Sequence, residues 1–77
     1  MITGYLFING ASEVGIDHQN NKYYVNADII HNDGYDYFME VRKEQFKDIL
    51  LTNFDWIPSG WDKDLKNEYQ YLIDLVS

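Results

Sequence analysis

The chain contains no cysteine and a single proline, Pro58. Without cysteine there are no disulfides and no thiolate metal sites, so packing or association must hold the fold together. Basic residues are also scarce, with 6 Lys and Arg against 13 Asp and Glu and a formal net charge of −7. Nucleic-acid backbones and anionic membranes are bound through clustered Lys and Arg, so direct contact with either is not expected. No apolar run approaches the ~18 residues of a membrane span. No basic segment precedes the short apolar stretch at the start, so a signal peptide is not expected and the expected compartment is the cytoplasm. Gly4, Gly10, Gly15, Gly34 and Gly60 stand singly and form no phosphate-cradling loop.

What remains is ordinary in apolar content and rich in rings. Of 77 residues 45% are apolar and 17% aromatic, with seven Tyr, four Phe and two Trp. This length fits one domain, residues 1–77, burying only roughly 60–65% of the surface its unfolded form exposes. Up to about Val41 the pattern has period two, and beyond it the period is 3.6.

The β-branched and aromatic run at 2–8 reads as a strand ending at Asn9-Gly10. Residues 9–21 read as a loop, with Val14 to Asp17 as a further extended stretch at most. Residues 22–30 and 35–41 read as a hairpin. A two-residue turn at Asp33-Gly34 would mix polar and apolar residues on both faces. A three-residue loop with Gly34 left-handed sorts them: Tyr23, Val25, Ala27, Ile29, Tyr37, Met39 and Val41 on one face, and Tyr24, Asn26, Asp28, Ile30, Asp36, Phe38 and Glu40 on the other. That register pairs His31 with Tyr35, Ile29 with Tyr37 and Val25 with Val41.

Residues 43–53 read as a helix burying Phe46, Ile49 and Leu50. Residues 55–58 should be extended ahead of Pro58. Ser59 then caps a second helix, 60–76, whose apolar stripe runs Trp61, Leu65, Tyr69, Leu72, Ile73, Val76. The expected fold is therefore α+β, a small two-layer domain with a three-stranded antiparallel sheet (β-β-β) followed by two helices packed on one face. Its core combines Trp61, Leu65, Leu72 and Ile73 with Phe46, Ile49, Leu50, Val25, Ile29 and Met39.

Catalytic chemistry finds little support. His18 and His31 lie in or beside turns, and Ser12, Ser59 and Ser77 have no nucleophile-type context. Asp28, Asp33, Asp36 and Glu40 read as a solvated acidic face rather than a hard-metal site, and Asp33-Gly34-Tyr35-Asp36 lacks the alternating ligand spacing of a calcium loop. No enzyme activity, cofactor or metal is expected. The feature that stands out is the outer sheet face, where Tyr24, Ile30 and Phe38 mix with Asp28, Asp36 and Glu40, joined by either Tyr5 and Phe7 or Leu6 and Ile8 from the first strand. Rings rimmed by acids make a protein-binding patch or a homodimer face.

In size, charge and aromatic content the chain resembles small acidic phage-encoded inhibitors of host DNA-handling enzymes, among them DNA mimics and anti-CRISPR proteins. Acids alternating along a strand stand about 6.5–7 Å apart, near the spacing of phosphates along one nucleic-acid strand. The resemblance implies a non-enzymatic inhibitor and carries over no particular residues; the sheet-face reading supplies Tyr24, Asp28, Asp36, Phe38 and Glu40 as the surface offered to a partner protein with a basic surface. The alternatives are a homodimeric accessory protein and an immunity protein that neutralises a basic toxin.

Overall fold

A computed structural model describes residues 2–8, 11–31 and 37–77. It is α+β, with an antiparallel sheet of four strands rather than three: β1 (Gly4–Ile8), β2 (Ala11–Asp17), β3 (Lys22–Asn26) and β4 (Phe38–Val41), in that order. Helical segments follow β3 and β4: α1 (Ala27–His31), α2 (Lys43–Asn53), α3 (Ile57–Gly60) and α4 (Lys63–Val76).

The added strand is β2, which had read as loop. Its alternation is carried by two residues, Val14 and Ile16, both buried, and is diluted by Ser12, Glu13 and Gly15. Neither Gly nor Glu favours strands, so pairing on both sides stabilises what local propensity does not. Ile8 pairs with Ala11, so β1 and β2 are joined by Asn9-Gly10, which lie outside the described residues. The β2–β3 turn is held by Asp17, whose carboxylate accepts from Gln19 N (3.1 Å), Asn20 N (3.3 Å) and Asn20 Nδ2 (2.8 Å). Asn21 closes the turn at φ 54°, a left-handed conformation that Asn tolerates better than most residues.

β3 ends earlier than the sequence pattern indicated. Asn26 Oδ1 accepts from Asp28 N (3.0 Å), and the chain turns into α1 instead of continuing as strand to residue 30. This is the local side-chain capture that favours Asn at helix starts. His31 is therefore helical and not a strand partner. The loop at Asn32 to Gly34 and the pairing with Tyr35 lie outside the described residues. The β3–β4 register differs from the expected one by two residues: Val25 pairs with Met39 and Tyr23 with Val41. An even shift leaves every side chain on its face, so the sorting of β3 and β4 survives the correction.

One row, Leu6–Val14–Val25–Met39, crosses all four strands, with Gly4–Ile16–Tyr23–Val41 beside it. These rows point to the helices. Leu6, Val14, Ile16 and Val25 join Phe46, Ile49, Leu50, Phe54, Ile57, Leu65, Tyr69, Leu72 and Val76 in one buried cluster, with Ile29 and Ile73 packed against it. Tyr69 donates its hydroxyl to the Leu50 carbonyl (3.0 Å), tying α4 to α2 inside the core. Burial, with the Asp55 carboxylate nearby, pushes the Tyr69 phenol up from its ordinary range.

α2 spans the residues the pattern indicated. The second long helix does not begin at residue 60. Asp62 is its N-cap, accepting from Leu65 N (2.9 Å), and Ser59 belongs to α3. Trp56 and Ile57 are not extended ahead of Pro58: Trp56 has φ −74° and ψ −19°, and Ile57 opens α3 fully buried. Burying Ile57 outweighs the local preference of a residue before proline. As a result Trp61 lies outside α4, with extended backbone, and is 42% exposed rather than part of the core.

Leu72→Ala should cost about 2–4 kcal/mol through the lost apolar burial and the cavity left behind. Trp61→Ala should cost less than about 1 kcal/mol. Urea denaturation of the two variants checks the assignment, and equal losses would place Trp61 in the core after all.

Candidate functional site

The face of the sheet turned away from α2 and α4 carries the row Tyr5–Gly15–Tyr24–Glu40. Leu6 is buried, so of the two options for the first strand it is Tyr5 that joins this face. Tyr5 on β1 and Phe38 on β4 meet edge to face, ring centroids 5.9 Å apart, although two strands lie between them. That geometry suits the quadrupoles of two rings. A Cβ on Gly15 would sit 2.7 Å from Ile2 Cγ2 and 3.3 Å from the Gly4 carbonyl oxygen, so the missing side chain lets Ile2 settle over the row. Tyr24 and Phe38 are half-buried and Tyr5 is exposed.

The five residues read from the sequence as partner-binding are thus only partly assembled. Tyr24, Phe38 and Glu40 share the outer face. Asp28 does not: it lies in the first turn of α1, past the end of β3, and is exposed. Asp36 lies outside the described residues. The alternating ladder of acids is accordingly not formed along β3, whose residue 28 position is helical. Glu40 itself lies 3.9 Å from Lys22 Nζ in an exposed ion pair, a contact of small energetic weight in water.

Charge is distributed unevenly over the rest of the surface. Lys22, Arg42 and Lys43 line one open cleft beside Glu40, and Lys43 and Lys47 line the next, so four of the six bases gather near the start of α2. Between Asp55 and Glu68 the balance is reversed, with Asp55, Asp62, Asp64 and Glu68 against Lys63 and Lys66. Among the described residues, no three His, Asp or Glu side chains gather to hold a metal ion. No helix among them is long and apolar enough to cross a membrane.

Two constellations were not apparent in the sequence. The first is built around His18. Its N–H donates to Thr3 Oγ1 (3.1 Å), its Nδ1 is hydrogen-bonded to the same oxygen, and its Nε2 is 2.9 Å from the Tyr71 hydroxyl. Thr3 Oγ1 also lies 3.3 Å from the Ile16 carbonyl, which already accepts the Thr3 N–H. His18 thus bridges Thr3 and Tyr71 through its two ring nitrogens, with the donor and acceptor roles set by the tautomer. A Cβ on Gly4 would stand 2.9 Å from His18 Cε1, so glycine at that position makes room for the ring. The chain Thr3–His18–Tyr71 fastens the sheet edge to α4. The second constellation is Trp56 with Trp61, ring centroids 5.3 Å apart at 79°, one at each end of α3.

Comparison with protein-family models, curated proteins and solved structures finds no match to this chain.

Tyr71→Phe and His18→Ala should each cost about 0.5–1.5 kcal/mol, the ordinary worth of such a hydrogen bond. In a double-mutant cycle the two losses should overlap, since both remove the same contact. Simple additivity in urea melts would show that the contact contributes nothing to stability.

Proposed function

We propose that this chain is a non-enzymatic binding protein that inhibits a nucleic-acid-binding or defence protein by meeting its basic surface with rings and acids, in the manner of phage-encoded inhibitors. The observation that supports the reading is the outer sheet face: Tyr5, Tyr24 and Phe38 gathered with Glu40, without a helix laid over them among the described residues, on a chain of net charge −7. Half-buried aromatic residues on a rigid sheet supply contact area at low entropic cost, as hot-spot residues do at protein interfaces. The net charge supplies long-range attraction toward a basic partner. Because the strand ladder of acids is not formed, the reading rests on aromatic contact supported by overall charge, rather than on an imitation of phosphate spacing.

The second reading is a homodimer. β1 and β4 are both edge strands, and the Tyr5–Phe38 contact spans the face a second copy would cover.

One pair of measurements separates the readings. DNA-binding proteins from a bacterial lysate, enriched on DNA-cellulose, are passed over the immobilised chain. Wild type should retain specific proteins at about 50 mM salt and release them by about 500 mM as attraction is screened. A Tyr24→Ala, Phe38→Ala double variant should retain them poorly. Failure of wild type to retain any would remove the inhibitor reading. Sedimentation then tests the dimer: a wild-type dimer converted to monomer by Phe38→Glu supports it, and a monomeric wild type excludes it.

A further inference from the structure

We propose that Trp56 and Trp61 form a binding site for arginine side chains of a partner protein, distinct from the outer sheet face and placed in the helical layer. The two are the only tryptophans in the chain, and they are left 38% and 42% exposed in a domain too small to spare apolar area from its core. Their position is not loose. Between them, buried Ile57 anchors α3 in the core. Ile57 N donates to the Phe54 carbonyl (3.0 Å), and Ser59 Oγ (2.9 Å) and N (3.3 Å) both donate to the Trp56 carbonyl. Pro58 restricts the turn, and Asp62, the next residue after Trp61, is fixed as the N-cap of α4. The rings are therefore presented by a braced turn, each lending the other an edge or a face and leaving further ring surface open to water.

The charge around them selects the occupant. Asp55 adjoins Trp56 and Asp62 adjoins Trp61. Both are exposed, and Asp64 follows, with Lys63 as the one cation in this stretch. An apolar group seated on the indoles would add no partner for these carboxylates beyond the Leu65 N–H that Asp62 Oδ1 already accepts. A guanidinium satisfies both features, because it stacks on an indole face and donates paired N–H groups to a carboxylate. A lysine ammonium matches the charge but not the plane, so arginine should be preferred over lysine. This inference does not depend on the sheet face.

The test uses the full chain and its tryptophan fluorescence, excited at the red edge of the indole band where the seven tyrosines do not absorb, so that the emission reports on these two residues. The probes are a short blocked peptide of alternating arginine and glycine, its lysine counterpart, and a proline-rich peptide. The arginine peptide should change the emission saturably and bind about three- to thirtyfold more tightly than to Trp61→Ala, the range expected of one cation–π contact. In that variant Trp56 still reports. The lysine peptide should bind more weakly than the arginine peptide at equal ionic strength. Asp62→Asn keeps a side chain able to cap α4 and loses only the charge, so it should weaken the arginine peptide while leaving the urea midpoint nearly unchanged. Tyr24→Ala with Phe38→Ala should leave the peptide affinity as in wild type. Equal binding of the lysine and arginine peptides, indifference to Trp61→Ala, loss of binding in the sheet-face variant, preference for the proline-rich peptide, or no saturable change would each overturn the proposal. The sheet-face variant's behaviour toward captured proteins is read separately, so failure of one site is not failure of the other.

Discussion

Val14 lies opposite Leu6 on one side and Val25 on the other, and all three are fully buried under α2 and α4. Successive strand residues point to opposite faces, so once this row faces the helices the destination of nearly every neighbouring side chain is fixed. Ile16, Tyr23 and Val41 follow it inward, while Tyr5, Tyr24 and Glu40 are turned outward. Opposite Leu6 and Phe7 the register shifts and Glu13 is left as the extra residue, so it is β2 that departs there from simple alternation. A chain of this size has one core, and sheet parity decides who enters it. The outward rings are a consequence of that decision as much as a feature in their own right.

The same parity explains which parts of the fold were legible. The faces of β3 and β4 were readable although their register was not, because an error of two residues along a ladder is invisible to a pattern of period two. β2 was not readable because Val14 and Ile16 alone carry its alternation, and Gly15 between them is there for Ile2 to pack upon, a requirement that arises only once β1 and β2 are paired. α1 was hidden by a competing signal. Tyr24 to Ile30 continues to alternate, but Asn26 captures the Asp28 N–H and ends the strand. For Trp61 the helical wheel extended one residue pattern across a boundary that Asp62 imposes, and a wheel has no meaning outside the helix.

The candidate site was legible in proportion to how local it is. Tyr24, Phe38 and Glu40 could be assigned to one face from neighbouring strands, and Tyr5 was one of two stated options. Asp28 was misassigned with the end of β3. His18 and Tyr71 are separated by 53 positions, and nothing in either neighbourhood announces the other. Their meeting follows from the packing of α4 against β1, together with the absence of a side chain at Gly4. His18 had read as a turn residue, and it is one. Its added role is to join that turn to both the entry of β1 and the surface of α4.

Exposed rings in this molecule are therefore of two physical kinds. Tyr5, Tyr24 and Phe38 are outward because pleating leaves a sheet of this type with one uncovered face, and β-propensity alone favours aromatic residues there. Trp56 and Trp61 have no such explanation. They flank a helical turn, where neither pleat nor propensity calls for indoles, and the buried residue of that turn is Ile57. Two tryptophans left 38% and 42% exposed and held together on a braced turn are harder to attribute to the fold than three rings on a strand face. The charge pattern follows the same division. The sheet face has Lys22 beside its Glu40, and the clefts at the start of α2 collect further bases, whereas the tryptophans stand where acids outnumber bases. The sheet face pairs Glu40 with Tyr24 and sets Lys22 beside it, whereas in the turn between α2 and α4 Asp55 and Asp62 are next in sequence to the two tryptophans.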